Sequence, residues 1–296
     1  MKIAYLASAI TLPGSPDRRS DAFEHDWMMD ALGPAFAERG MEVEAVSWDA
    51  KGVAWAPDFD AAIIGTTWDY WDRQDEFIAR LQLIESMIPL FNSASLVAWN
   101  SRKTYLKDLE AKGARLIPTI WLDDASETGA RAAFDALGSD DFVFKRQVGA
   151  GADGQHRLQR GDPIPDMPHL MMVQPFMETI LSEGEISFVM IDGELSHALV
   201  KRAKPGDYRI QSIYGGVEEA ITPSAEDLAA AKAVLAALDE VPLYARVDML
   251  RAPDGGLLLM ELELIEPYLY PLQGPQLGEH LAKATAARLQ TSTTLP

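Results

Sequence analysis

Two glutamates interrupt an apolar segment near the C-terminal end of the chain, in the stretch GLLLMELELIEP at residues 256–267. Apolar runs of this kind are typical of a strand buried on both faces, and alternate residues of a strand point to the same side. We therefore expect Glu261 and Glu263 to place their carboxylates side by side on one face. Two like charges held that close repel each other and resist ionisation, so something positive must balance them.

A third acid, Asp248, lies in the preceding apolar strand, within RVDML, and can reach the same face of the sheet. Carboxylate oxygens are ligands that Mg²⁺ prefers, and Mg²⁺ commonly keeps waters and bridges substrate phosphates. The sequence therefore predicts a metal site formed by Asp248, Glu261 and Glu263, incompletely neutralised until the metal and its phosphate ligand bind. A pair of exposed glutamates on an edge strand is the simpler alternative.

A glycine-rich loop, within KRQVGAGADG at residues 145–154, follows another apolar strand. Its glycines Gly149, Gly151 and Gly154 match G-x-G-x-x-G, but a dinucleotide-binding fingerprint needs a helix directly after the loop. The segment that follows, QHRLQRGDPIPD, contains glycine and prolines that would end a helix early. A glycine flap between antiparallel strands also covers nucleotide phosphates, and Lys145 would then reach phosphate oxygens. A mobile hairpin turn with a surface lysine stays open as the alternative.

The composition is that of an acidic globular chain without cysteine. The 296 residues carry 26 basic and 45 acidic side chains, a net charge of −19, and 48% of them are hydrophobic. A field of that sign repels phosphate backbones and anionic lipid, so we predict no nucleic-acid and no membrane partner. With 0 Cys, no disulfide or thiolate metal site can form, which fits a cytoplasmic location. The N-terminal segment MKIAYLASAI is interpreted as a first strand rather than a signal peptide.

The chain is longer than one hydrophobic core usually serves, and the order of its elements divides it into three stretches. Residues 1–100 alternate strands and helices, which predicts an α/β domain with a parallel, doubly wound sheet. Residues 101–175 are predicted to form a small subdomain that carries the glycine flap. Residues 176–296 favour an α+β subdomain with the acidic site.

Caps and turns mark several element boundaries. We predict a helix over residues 101–113, with Ser101 as its N-cap and Gly113 as its C-cap. Asp-Gly pairs favour tight hairpin turns, which places turns at 192–193 and at 254–255.

Four segments in a fixed order resemble the ATP-grasp superfamily of carboxylate–amine ligases. They are NSRKTYLKDLEAKGARLIPT, FVFKRQVGAGADG, ALVKRAKPGDYRIQSIYGG and ARVDML with LLLMELELIEP, and they span about residues 100–270. Further segments, TTWDYWDRQDEF, EGEISF and ELELIEPYLY, are similar to the branch that contains the D-cycloserine-forming cyclo-ligase and its glutathione-synthetase-like relatives. The resemblance implies an ATP-grasp fold preceded by a Rossmann-like domain, with ATP and Mg²⁺ as cofactors. It departs from the superfamily at Glu263, where most relatives have Asn, and this adds a negative charge beside the metal.

The resemblance also implies roles for individual residues. For ATP it implies phosphate contacts from Lys103, Lys145 and the three flap glycines, an adenine hinge at Gln174 to Met177 that includes Phe176, and ribose contacts from Glu183 or Glu185. For catalysis it implies that Lys201 approaches the transferred phosphoryl group and that Arg209 binds the acyl phosphate or the substrate carboxylate. Gly215 and Gly216 would let backbone N–H groups approach an oxyanion.

Two features have no settled role in the sequence. His197 either touches substrate or is a core histidine. The group Trp68, Asp69 and Tyr70 follows an apolar strand, where doubly wound folds bind ligands, and it either lines a substrate cleft or packs between domains.

Three classes of function compete. The first is a ligase that activates a carboxylate as an acyl phosphate for attack by an amine, between two molecules or within one, releasing ADP and phosphate. The second is a kinase-like phosphotransferase, although no H-R-D-x-x-x-x-N signature is present. The third is a non-catalytic ATP-binding module. The expected partner is a small amino-acid-like substrate, and a homodimer is one option for the assembly.

Overall fold

The first stretch of the chain forms a parallel sheet flanked by helices. A computed structural model describes residues 1–123, 125–149, 154–204, 206 and 215–292. The first sheet has the strand order β2-β1-β3-β4, and all its pairs are parallel, which confirms the predicted doubly wound sheet. Its strands are β1 (Lys2–Ala7), β2 (Glu42–Ser47), β3 (Ala61–Ile64) and β4 (Leu90–Phe91). The accompanying helices are α1 (Phe23–Ala37), α2 (Trp55–Asp58), a 3-10 helix (Tyr70–Arg73), α3 (Gln74–Glu85) and α4 (Ala94–Asn100).

The second sheet is small and antiparallel, with the order β5-β8-β6-β7. It contains β5 (Ile120–Leu122), β6 (Asp141–Arg146), β7 (His156–Gln159) and β8 (Met171–Pro175), with helices α5 (Tyr105–Ala111) and α6 (Glu127–Leu137). Strands β6 and β7 pair antiparallel on either side of the glycine-rich loop, as the flap prediction requires. Residues 150–153, which include Gly151, lie outside the described residues.

The predicted helix over residues 101–113 is wrong at its start. Ser101 instead follows the end of α4, and its Oγ donates to the carbonyl oxygen of Ala98 at 2.8 Å. Helix α5 begins only after Thr104, because residues 101–104 form turns. At the other end Gly113 follows the helix with φ +95°, a conformation that glycine adopts without strain.

The third sheet is antiparallel, with the order β11-β10-β9-β12-β13. Its elements are α7 (Thr179–Ser182), β9 (Glu185–Ile191), β10 (Glu194–Arg202), β11 (Val217–Ile221), α8 (Ala225–Ala236), β12 (Tyr244–Arg251), β13 (Leu257–Glu263) and α9 (Leu277–Ser292). The turn between β9 and β10 has φ +52° at Asp192 and +80° at Gly193, and Gly255 has φ +87° between β12 and β13. Both predicted Asp-Gly turns are therefore confirmed.

The first and third sheets share one core, and buried polar groups join them. The Oη of Tyr244 lies 2.6 Å from the carbonyl oxygen of Ile64 and 2.7 Å from that of Ile265. Asn92 donates to the carbonyl oxygens of Tyr244 and Leu264 at 3.0 and 2.8 Å, and its own carbonyl accepts from the N–H of Leu243 at 2.7 Å. These contacts hold the carboxyl end of β3 against the end of β13. The division of the chain at residues 100 and 175 stays a prediction. None of the helices in the described ranges is long and apolar enough to cross a membrane.

Replacement of Asn92 by Ala should destabilise the protein by roughly 3 kcal/mol, because three buried backbone groups would lose a hydrogen-bond partner. Chemical denaturation measures the change. The neighbouring Ser93→Ala is a matched control, since it removes the N-cap that accepts from Leu96 and should cost about 1 kcal/mol. Equal losses in the two variants would contradict the bridging role of Asn92.

Candidate active site

A cavity of about 510 Å³ lies where the three sheets meet. Its walls include Trp68 and Tyr70 after β3, Lys145 on β6, Phe176 after β8 and Lys201 on β10. A concave site between subdomains, lined by apolar walls and a few converging charges, is the usual form of a cofactor or substrate pocket.

Glu261 and Glu263 lie on one face of β13 and both line this cavity, which confirms that they share a face. Each carboxylate has a cation from the protein. Lys103 donates to Glu261, and Arg246 donates to Glu263. Asp248 accepts from Nε of Arg246 at 3.1 and 3.0 Å on its two oxygens. Lys103 and Arg246 thus supply two positive charges for these three carboxylates, and the cluster keeps an excess of acid, as the incomplete neutralisation predicted from the sequence requires.

The same contacts set the protonation of the three acids. Burial would raise the pKa of Glu261, but the charge and hydrogen bond of Lys103 outweigh burial and hold that pKa below its usual value. Burial raises the pKa of Glu263 to about 7, since Arg246 offsets it only in part and the other two acids repel a further charge. Burial acts on Asp248 in the same direction, yet Arg246 and the other contacts bring its pKa to about 2.

Lys201 and Glu185 form a second buried ion pair on the floor of the cavity, between the neighbouring strands β10 and β9. Lys201 Nζ also lies 3.4 Å from an Asp248 oxygen. Burial raises the pKa of Glu185 to about 7. The ring of Tyr270 lies over both cations, 5.7 Å from Lys201 Nζ and 5.6 Å from the guanidinium carbon of Arg246. Tyr270 has φ +50°, which is uncommon outside glycine and turns the chain at this point.

Lys145 differs from the other lysines of the cavity. Within the described residues it forms no ion pair, although it lies at the base of the glycine hairpin and lines the cavity. Burial lowers the pKa of its ammonium group. A half-buried cation without a counterion is partly desolvated, so this position favours an anionic ligand.

The end of the cavity near β8 is mainly apolar. Val143, Phe176, Met177, Ile180 and Leu250 line it. Gln174 also lines it, and its side-chain amide donates to Thr119 Oγ1 at 2.9 Å. Such a surface suits a flat heterocycle, as the adenine-hinge prediction requires.

The cavity brings together most of the residues that the sequence singled out. Those that line it are Lys103, Lys145, Gly149, Gln174, Phe176, Glu185, Lys201, Asp248, Glu261 and Glu263, together with Trp68 and Tyr70. Six of the described positions do not line it: Asp69, Gly154, Glu183, His197, Gly215 and Gly216. Arg209 lies outside the described residues.

Two of the residues outside the cavity have other partners. Glu183 is held by Arg251 at 2.9 Å, so of the two glutamates considered for ribose only Glu185 faces the cavity. Asp69 accepts from Trp48 Nε1 at 2.8 Å, inside the first domain. His197 also does not line the cavity, and its ring packs tightly against Gly274, which favours the core interpretation.

Sequence reasoning missed Arg246, Glu266, Tyr268 and Tyr270, all of which line the cavity. Arg246 could have been found, because it precedes Asp248 by two residues and so lies on the same face of β12. Glu266 lies three residues after Glu263, beyond the end of β13, where the alternation no longer applies.

No three His, Cys, Asp or Glu side chains in the described ranges lie close enough to hold a metal ion together. This agrees with the ion pairs above, since each acid of the predicted metal site is turned to a cation of the protein. Their oxygens are nevertheless of the type that Mg²⁺ prefers.

Comparison with known proteins shows similarity along almost the whole chain. The family described as D-cycloserine synthetase DcsG, N-terminal domain, matches residues 3–92. The cycloserine biosynthesis protein DcsG of Streptomyces lavendulae is 29% identical over 287 residues, 90% of this chain and 95% of that protein. The crystal structure of D-cycloserine synthetase DcsG superposes with a TM-score of 0.82 at 27% identity, over 98% of this chain and 100% of that one. The ATP-grasp ligase PsnB, solved with a precursor variant, Mg and ADP, shares the fold with a TM-score of 0.64 at 16% identity, over 97% of this chain and 98% of that one.

The fold, the charged cavity and these similarities define an ATP-dependent carbon–nitrogen ligase of the ATP-grasp type. Among ATP-grasp ligases it resembles the D-cycloserine-forming branch.

Replacement of Glu261 by Gln should strengthen the binding of ATP in the absence of metal by roughly tenfold, because it removes a negative charge and releases Lys103 for phosphate. Addition of Mg²⁺ should then tighten binding less than it does in the wild type. Calorimetric titration with ATP, in EDTA and in Mg²⁺, measures both effects. Glu279→Gln, an exposed position on α9, is the control. Weaker metal-free binding in Glu261→Gln would show that Lys103 does not exchange partners.

Proposed function

We propose that the protein activates the carboxylate of a small amino acid as an acyl phosphate and joins it to an amine, with release of ADP and phosphate. The observation that supports this most directly is the half-buried Lys145 at the base of the glycine hairpin, which has no ion-pair partner among the described residues and shares one cavity with Lys201, Arg246 and the acidic cluster. Lys145 favours a bound anion. The cluster with Lys201 and Arg246 can balance the charge that develops on a transferred phosphoryl group.

The nucleotide would lie along the cavity from its apolar end to its charged end. Gln174 and Phe176 would bound the adenine, and Glu185, which lines the cavity, would contact a hydroxyl of the ribose. Lys145 would bind phosphate oxygens without losing an existing partner, whereas Lys103 would have to leave Glu261 to do so. The flap glycines Gly149, Gly151 and Gly154 would let the backbone approach the phosphates.

Asp248, Glu261 and Glu263 would hold Mg²⁺, since their oxygens are hard ligands and all three line the cavity. The bound ion would neutralise charge on the phosphate oxygens. If the acids turned to the ion, Lys103 and Arg246 would lose their present counterions and could contact the phosphates or the substrate. Two cations of the protein, Lys103 and Arg246, would thus become available when the negatively charged nucleotide binds.

The chemistry needs one bond exchange at phosphorus and one at carbon. A substrate carboxylate oxygen attacks the γ-phosphorus and ADP leaves. The amine nitrogen then attacks the acyl carbon, loses a proton and expels phosphate. Lys201 and Arg246, which lie together under the ring of Tyr270, are placed to stabilise the transferred phosphoryl group. For Arg209, Gly215 and Gly216 the contacts with the acyl group remain part of the proposal.

A kinase-like reaction would use the same nucleotide contacts, so the acceptor distinguishes the two functions. A ligase forms an acyl phosphate that hydroxylamine captures as a hydroxamate, whereas a phosphotransferase forms a phosphorylated product that persists. A non-catalytic module would release no ADP with any acid.

We expect the wild-type protein with Mg-ATP and hydroxylamine to form ADP, phosphate and a hydroxamate with at least one acid from a panel of D- and L-amino acids. Lys145→Met should raise the KM for ATP by roughly tenfold or more, since the half-buried cation contacts phosphate directly. Lys107→Met, an exposed lysine on α5, is the matched control. Release of AMP and pyrophosphate would indicate adenylation and overturn the proposal.

A further inference from the structure

Glu266 is an acid of the cavity with no assigned role. It lies three residues beyond Glu263, past the end of β13, and lines the cavity. Glu261 and Glu263 each have a cation, but within the described residues Glu266 forms no ion pair. Burial, and then repulsion from Glu263, hold its pKa well above the usual value; Lys103 attracts it but is already bound to Glu261. A cation from outside the protein would therefore be stabilised here.

Three aromatic residues, Trp68, Tyr70 and Trp71, line the same cavity as Glu266. Trp68 Nε1 donates to the backbone carbonyl of Glu266 at 3.0 Å, which fixes the indole beside it. Burial raises the pKa of the Tyr70 phenol. The negative charge of Glu266 raises it further, and more than any other charged group does. Trp71 packs edge-on against Tyr70, with ring centroids 5.7 Å apart, and also lines the cavity. A carboxylate with aromatic walls is a typical site for an ammonium group, because the ring faces also attract cations.

The cation nearest to these walls is already bound elsewhere. The guanidinium carbon of Arg19 lies 5.6 Å from the ring centroid of Trp68 and 5.9 Å from that of Trp71. Its Nε and NH2 groups donate to the two oxygens of Asp21 at 2.8 and 2.7 Å. Arg19 thus shows that these indoles accept a cation, and Asp21 rather than Glu266 balances its charge.

We propose that Glu266, with Trp68, Tyr70 and Trp71, binds a protonated amino group of the substrate. The inference rests on the proposed function and specifies its substrate. The indole rings of Trp68 and Trp71 offer no oxygen ligand, so an organic ammonium group suits this position better than a metal ion. Nor is the bound group the attacking amine, because a carboxylate keeps a neighbouring ammonium protonated and attack needs the nitrogen lone pair. The substrate would therefore carry an ammonium group that is retained in the product.

The experiment compares acids that differ only in that amino group. D-alanine is paired with propionate, D-serine with 3-hydroxypropionate and L-glutamate with glutarate, each with Mg-ATP and hydroxylamine, and hydroxamate formation is measured. The wild type should prefer the amino member of each pair that it uses. Glu266→Gln should lower kcat/KM for that member by about 10- to 100-fold, mainly through KM, and leave the partner acid unchanged. Glu266→Asp, which keeps the charge, should recover part of the preference.

Glu266→Gln removes an unpaired charge, so it should fold, and its Mg²⁺ requirement should equal that of the wild type. Glu279→Gln on α9 is the control for loss of an acid elsewhere. Three outcomes would each overturn the inference. The wild type could use both members of a pair equally, Glu266→Gln could lose the same fraction of kcat/KM for both members, or Glu266→Gln could require more Mg²⁺ than the wild type. If no acid yields hydroxamate, the proposed function fails. Calorimetric binding of the same pairs, with Mg²⁺ and a non-hydrolysable ATP analogue, then tests Glu266 separately, and absence of binding by the amino members would overturn the inference as well.

Discussion

Charge balance inside one enclosed cavity is the constraint on which the rest of the site depends. Four acids of the third sheet, Glu185, Asp248, Glu261 and Glu263, are each paired with Lys103, Lys201 or Arg246. A buried charge is tolerated only when it is paired. Because these residues share partners, an ion that binds in the cavity must change several of their ion pairs together. A nucleotide and its metal bring both signs of charge, and for that reason they can replace the existing pairs without leaving a charge exposed to the apolar walls. Lys103 and Glu261 are the pair in which this exchange is simplest, since one would turn to phosphate and the other to the metal.

The hydrogen bonds between domains hold the charged strand in place. Tyr244 and Asn92 join the first sheet to the ends of β12 and β13, and the indole of Trp68 bonds to the backbone at Glu266. One wall of the cavity, at the end proposed for the substrate, is therefore built by the first domain, while the acids come from the third sheet. The second sheet contributes Lys145 and is joined to this body by different contacts, among them the bond from the N–H of Lys103 to the carbonyl oxygen of Gln147 at 2.8 Å. The nucleotide end and the substrate end thus depend on different interfaces.

Two side chains of the cavity lack a partner of opposite charge within the described residues, and they lie on different parts of the fold. Lys145 lies at the glycine hairpin of the second sheet, and Glu266 lies beyond β13, beside the first domain. An anion at one and a cation at the other would complete the charge balance. An ATP molecule and an ammonium-bearing acid have these charges, and the reacting carboxylate would then lie between them.

The sequence by itself determined those features that depend only on residues close together in the chain. Alternation along a strand placed Glu261 and Glu263 on one face, the Asp-Gly pairs predicted both hairpin turns, and the alternation of strands and helices predicted the parallel first sheet. Local patterns failed at Ser101, which was predicted to begin a helix but follows the end of α4, because a serine hydroxyl can bond to backbone groups at either end of a helix. Only the tertiary structure decided which cation balances which acid. Lys103 and Glu261 are 158 positions apart, and Trp68 and Glu266 are 198 apart. Such contacts follow from the way the sheets pack across the cavity. Helix and strand periodicities relate residues only a few positions apart, so they cannot predict contacts between residues so far apart in the sequence.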